Sequence, residues 1–207
     1  MNIIASRSTF ALSLIMATNL FLNYGVSANA NNEASKRNIE SISTGSVALT
    51  TEKMSEQDEL EVSLPSFKIY INDQRVNVYN AQYPFLIYDD ITYLPMTWNN
   101  AKALGLLTTW DKETGFHVNN DKDFEAKPIE QELSSSGNKL TYVAQVSEFD
   151  VFIEDELYDS SKEKYPALVF RDITYIPLTW DVAVEKLGIS IKMVGTADLR
   201  LSKMKKE

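Results

Sequence analysis

The feature that most constrains this chain is a phrase it contains twice. Positions 90–98 read DITYLPMTW, and positions 172–180 read DITYIPLTW. Only Leu94/Ile176 and Met96/Leu178 differ. Each difference exchanges one apolar side chain for another, the change a packed interior tolerates best. The register extends outward: Tyr83–Trp98 and Tyr165–Trp180 share ten of sixteen residues at a constant offset of 82. Upstream, Phe67–Asp73 lies on Phe149–Asp155, and downstream Leu104-Gly105 meets Leu187-Gly188 once the second copy gains one residue. Two copies are too few for a solenoid, and each is long enough to bury a core. The sequence therefore predicts two tandem small domains.

Within a copy the signals are mostly β. Phe67, Ile69 and Ile71 alternate with Lys68, Tyr70 and Asn72, the two-residue period of a strand with one buried face. Asn72-Asp73, Asp89-Asp90 and Arg171-Asp172 are read as two-residue hairpin turns, because Asp and Asn tolerate left-handed backbone angles. Pro95 lacks a backbone donor and is expected to end a ladder and lead into a helix. That helix is predicted over about 96–104, capped at its start by Thr97 and closed by Gly105. The second copy repeats it over 178–187 with Thr179 and Gly188. Leu106–Trp110 and Gly115–Val118 flank a hairpin loop. Each domain is expected to be an antiparallel β-sheet curled around one short α-helix, an α+β fold.

The ends read differently. Residues 1–30 combine Arg7 with an apolar run over 10–26 and close on Ala28-Asn29-Ala30. That pattern reads as a secretory signal, with cleavage expected between Ala30 and Asn31. Its run is broken by Asn19, Asn23 and Gly25 and falls short of the ~20 residues of a spanning helix, so no membrane association is expected after cleavage. Residues 31–58 are polar and read as a disordered linker. The first domain takes 59–119, a second linker 120–139, the second domain 140–203 and a charged tail 204–207. The domain order is thus signal, linker, domain, linker, domain, tail.

Removing Arg7 from a chain of net charge −9 leaves −10, a balance that repels nucleic acid and anionic lipid. No nucleic-acid partner is expected. The chain has no cysteine, which excludes disulfides, iron–sulfur ligation and thiol nucleophiles. Export without disulfides fits a secreted, extracytoplasmic bacterial protein, one that could associate with the cell wall.

The run Tyr-Pro-x-Leu-x-Tyr/Phe-x-Asp-Ile-Thr-Tyr-x-Pro-x-Thr, a helix ending Leu-Gly and then Trp110-Asp111-x-x-x-Gly115 resembles the bacterial stalk domain. That domain is described as similar to the N-terminal domain of copper amine oxidases. In the second copy Met193-Val194 stands in place of Trp110-Asp111. The resemblance implies an exported, non-catalytic binding or spacer protein of the cell envelope. Its partner would be an envelope protein or cell-wall glycan. In the oxidases the domain carries neither copper nor quinone, so no amine oxidation is implied.

The residue inventory offers little chemistry. One histidine, His117, cannot supply a copper site of several imidazoles, and no Gly-x-Ser-x-Gly elbow accompanies it. Asp89-Asp90, Asp111/Glu113 and Glu154-Asp155-Glu156 fall on predicted turns, and Asp121/Asp123 in a linker without calcium-loop spacing. No catalytic residue, metal ligand or cofactor is assigned. The remaining candidates are Trp98 and Trp180, at one shared helix position. Aromatic faces stack on sugars, which makes a glycan-binding or carbohydrate-active protein the alternative, beside a regulator of a secreted hydrolase. The expectation for both tryptophans is that they anchor the helix in the core.

Overall fold

The computed structural model describes residues 59–204. The expected signal, its cleavage site at Ala30 and Asn31, the linker before residue 59 and the last three residues lie outside them. The first copy supplies β1 (Glu59–Ser63), β2 (Lys68–Ile71), β3 (Gln74–Val76), β4 (Leu86–Tyr88), β5 (Ile91–Pro95), helix α1 (Trp98–Ala103), β6 (Leu106–Asp111) and β7 (Gly115–Asn120). The second supplies β8 (Thr141–Val146), β9 (Val151–Ile153), β10 (Glu156–Tyr158), β11 (Leu168–Phe170) and β12 (Ile173–Pro177). A π-helix (Trp180–Lys186), β13 (Ile189–Val194) and β14 (Asp198–Lys203) complete it.

These elements do not sort into two domains. Six strands close a barrel in the order β1-β4-β5-β12-β11-β8, three from each copy. Two further sheets, β10-β9-β7-β6 and β13-β14-β2-β3, each join a hairpin of one copy to a hairpin of the other. The joins are parallel, β7 with β9 and β14 with β2. The expected α+β fold of two domains, each a sheet around one helix, is therefore corrected to a mainly β structure whose sheets are all shared. The physical reason is that alternation fixes which residues of a strand face inward but not which strand it pairs with.

The sharing follows a two-fold pattern. In the β1–β8 ladder Glu61 stands opposite Val143, and in the β5–β12 ladder Leu94 stands opposite Ile176. Both pairs are residues 82 apart, so each copy meets its own equivalent there. Burial obeys the same pattern. Val62, Leu86, Tyr93, Ala144, Leu168, Phe170 and Tyr175 form one cluster drawn from all six barrel strands, which fills an interior of this strand number with side chains. Outside the barrel a larger cluster merges Ile69, Phe85, Leu94, Leu104 and Val118 with Val151, Ile176, Leu187 and Leu201. Strands β5 and β12 are thus buried on both faces, whereas β1 and β8 turn Glu61 and Val143 outward.

Four hairpins turn on residue pairs with two positive φ angles: Asn72-Asp73, Asp89-Asp90, Glu154-Asp155 and Arg171-Asp172. Two such angles define the type I′ turn, whose twist matches that of paired strands. None uses glycine. Pro95 does not stop its ladder: Met96 N–H donates to Thr174 O at 2.9 Å, and Leu178 N–H to Thr92 O at 2.8 Å. The helices begin only after Thr97 and Thr179, whose hydroxyls accept from Asn100 N and Val182 N. The single residue gained by the second copy is absorbed in the helix itself. Leu104 N–H reaches back to Asn100 O, but Leu187 N–H reaches Val182 O, one residue further, which is the π-helical bond.

Candidate binding surface

All three tryptophans of the chain are at the surface. Trp98 and Trp180 are 63% and 67% exposed, so neither anchors its helix in the core as expected. The helix position after the Thr cap faces solvent, and the core is instead met by Asn100, Ala101 and Ala103 in α1 and by Val182 and Ala183 in the π-helix. Each ring has a local partner: Lys102 Nζ stands 5.6 Å from the Trp98 ring, and Trp180 Nε1 donates to Glu185 Oε1 at 3.1 Å. The two lie beyond opposite ends of the antiparallel β5–β12 pair, so they form two separate surface sites.

The aromatic residues that do fill the interior are the tyrosines of the repeated phrase. Tyr93 and Tyr175 are fully buried in the barrel, and neither hydroxyl has a hydrogen-bond partner among the described residues. Loss of water around the phenol raises both pKa values above the ordinary tyrosine range.

A third aromatic site was not among the residues expected from the sequence. Trp110, at the end of β6, is 56% exposed and meets Phe149 edge-on with ring centres 4.5 Å apart. Gly115 makes the meeting possible. Its φ is +90°, and a Cβ there would stand 2.1 Å from the carbonyl oxygen of Asp150. Only glycine lets that backbone close on the hairpin, where Phe116 N–H donates to Asp150 O at 2.9 Å. Phe149, one residue earlier, is thereby laid on Trp110. Together with Met96, Phe116, Val169 and Ile173 the pair lines an apolar cleft of about 380 Å³, with Asp172 and Thr174 also in its wall. The available signal was an asymmetry: Trp110 aligns with Met193, so this aromatic belongs to one copy only.

Most of the acidic candidates are engaged by neighbouring groups. Asp111 Oδ1 accepts from Glu113 N at 2.8 Å and Thr114 N at 3.0 Å, which closes the turn and lowers the carboxyl pKa. Among the described residues Glu113 contributes only that backbone donor. Asp89 pairs with Lys164 at 3.1 Å, and Glu156 with Lys186 at 3.4 Å. Glu154 and Asp155 accept from Asn120 N and from Asn119 Nδ2, joining the β9–β10 turn to the end of β7. Asp121 Oδ1 accepts from Asp123 N at 3.0 Å. His117 stacks flat on Phe152 at 4.5 Å across the parallel β7–β9 join. Among the described residues no three His, Asp or Glu side chains gather in a metal-holding arrangement. No helix among them is long and apolar enough to cross a membrane.

No family model, no curated protein and no solved structure matches this chain.

Proposed function

We propose that the protein is an exported, non-catalytic binding or spacer module of the bacterial cell envelope, and that it engages its partner through the Trp110–Phe149 cleft. The observation that carries this reading is the cleft itself. Large aromatic side chains at the surface are the commonest anchors of recognition sites, and this pair is held in place by a shared sheet and a glycine-dependent turn. The carboxylates of Asp111, Asp121, Glu154 and Asp155 accept from backbone or amide donors, and those of Asp89 and Glu156 pair with lysines, which supports binding over hydrolysis. The secretory leader and the stalk-domain resemblance of the repeated phrase support the envelope as its location.

A direct test is fluorescence titration of the secreted chain with solubilised envelope proteins and with wall-glycan fragments. Binding that perturbs Trp110 emission and is lost in Trp110→Ala, with the thermal melt unchanged, is the expected result. Release of product from peptidoglycan or model glycosides, abolished by Asp111→Asn, contradicts the reading.

A second reading, glycan binding spread over several sites, is favoured by the exposure of Trp98 and Trp180. It predicts that Trp98→Ala and Trp180→Ala each weaken glycan binding in a protein that still folds.

A further inference from the structure

The two outer sheets are equivalent by the repeat, yet their outward faces carry different chemistry. In the β13-β14-β2-β3 sheet, Tyr70 stands opposite Arg75, Arg200 opposite Tyr70, and Lys192 opposite Arg200. Ile69, Ile71, Val76, Leu199 and Leu201 point inward, so the row Arg75, Tyr70, Arg200, Lys192 points outward. Adjacent strands lie ~4.8 Å apart, which makes the row about 14 Å long. Lys68 adds a fourth cation one row away, beside Asp198 at 4.0 Å. Arg200 is tethered: its guanidinium lies 4.4 Å from the Tyr70 ring centre, donates to Asp73 at 2.9 Å and stands 3.7 Å from Asp198. Arg75 and Lys192 are exposed and make no ion pair among the described residues.

The equivalent row of the other sheet is Leu157, Phe152, His117, Thr109. The fold therefore does not require cations at these places. Lys192 directly opposite Arg200 is a like-charge cross-strand pair, which costs stability. It occurs in a chain of net charge −9. We propose that this face binds a linear phosphate-bearing polymer, with Arg75 and Lys192 as its charge contacts and Arg200, held by Asp73 and Asp198, between them. The row is one side chain wide, far below the ~800 Å² per partner of a specific protein interface. Tyr70 is covered by Arg200, so the face offers no open ring for a sugar or a base. What it presents is charge and guanidinium donors, and these suit phosphate oxygens. The site is separate from the Trp110–Phe149 cleft and stands or falls independently of it.

The test is fluorescence anisotropy of end-labelled linear inorganic polyphosphate with the full chain over a range of salt concentrations. Binding whose log affinity falls linearly with log salt is expected. The double variant Arg75→Gln/Lys192→Gln should bind at least tenfold more weakly at low salt, with a slope smaller by about one per cation removed. Its thermal melt should not fall, since neither side chain has an ion-pair partner among the described residues to lose. Lys102→Gln, which removes a cation from α1, should bind like the parent. Absence of binding, equal binding by the double variant, or equal affinity for poly-glutamate overturns the proposal.

Discussion

The two halves of this molecule solve one packing problem with the side-chain bulk in different places. In the first half Val76 and Phe85 sit in neighbouring positions under α1; in the second their equivalents are Tyr158 and Ala167. The bulk has moved from the residue before β4 to the end of β10, the counterpart of β3, and all four side chains are buried. The halves also treat an outer strand differently. The edge of β3 is capped by a side chain: Gln131 accepts from Asn77 N at 2.7 Å and donates to Arg75 O at 3.0 Å. The matching edge of β10, at Leu157 and Asp159, has no such cap among the described residues. The lesson is that a repeat constrains the sum of a site's contacts rather than each residue, and that the linker belongs to the first half's structure.

Substitutions can break this comparison, and the largest effect is expected at Phe85. Phe85→Ala opens a cavity that Val76 cannot fill and should cost about 3–5 kcal/mol in chemical denaturation. Next comes the cap. Gln131→Ala removes two hydrogen bonds to a strand edge and should cost about 1–2 kcal/mol. The Asn77 amide should then exchange with solvent as fast as that of Asp159.

The barrel tyrosines sharpen the comparison with the opposite sign. Tyr93→Phe and Tyr175→Phe each delete a buried hydroxyl without a partner, and should raise stability by about 1 kcal/mol. The hydroxyl of Tyr158, which donates to Tyr165 O at 2.6 Å, should be missed by a similar amount in Tyr158→Phe. The pH dependence follows from the raised phenol pKa values. Folding favours the protonated forms, so their contribution is full below about pH 10 and is lost as pH rises above that. The two barrel variants should flatten the alkaline limb of a stability–pH profile. The smallest effect belongs to the surface: Trp98→Ala and Trp180→Ala should change stability by no more than about 0.5 kcal/mol. A loss of several kcal/mol would return them to the core.

Much of the local structure is legible in the residues. The turns at Asn72-Asp73, Asp89-Asp90 and Arg171-Asp172, the Thr97 and Thr179 caps and the one-residue difference between the helices are all local, and short-range chemistry dictates them. Pairing is not local. Nothing in the alternation of Lys68–Ile71 distinguishes β3 on one side from β14 on the other, and it is that second partner, far along the chain, which merges the two copies. The place of the tryptophans is hidden for a related reason. A helix of only six residues has no periodicity long enough to separate its inner face from its outer one, and here Ala101 and Ala103 meet the core while Trp98 faces solvent. The Trp110–Phe149 cleft depends on Gly115 admitting a backbone carbonyl from the other copy, a contact that no stretch of sequence encodes by itself.

Two sequence repeats whose ladders cross should fold as one cooperative unit. The tryptophans provide the probes, with Trp98 and Trp110 in the first copy and Trp180 in the second. One variant keeps only the first pair through Trp180→Phe. Another keeps only Trp180 through Trp98→Phe and Trp110→Phe. Urea unfolding of both, followed by tryptophan emission, should give coincident single transitions with equal midpoints and slopes, matching the far-ultraviolet circular dichroism. Two separated transitions, one for each copy, would contradict the shared barrel and the exchanged sheets.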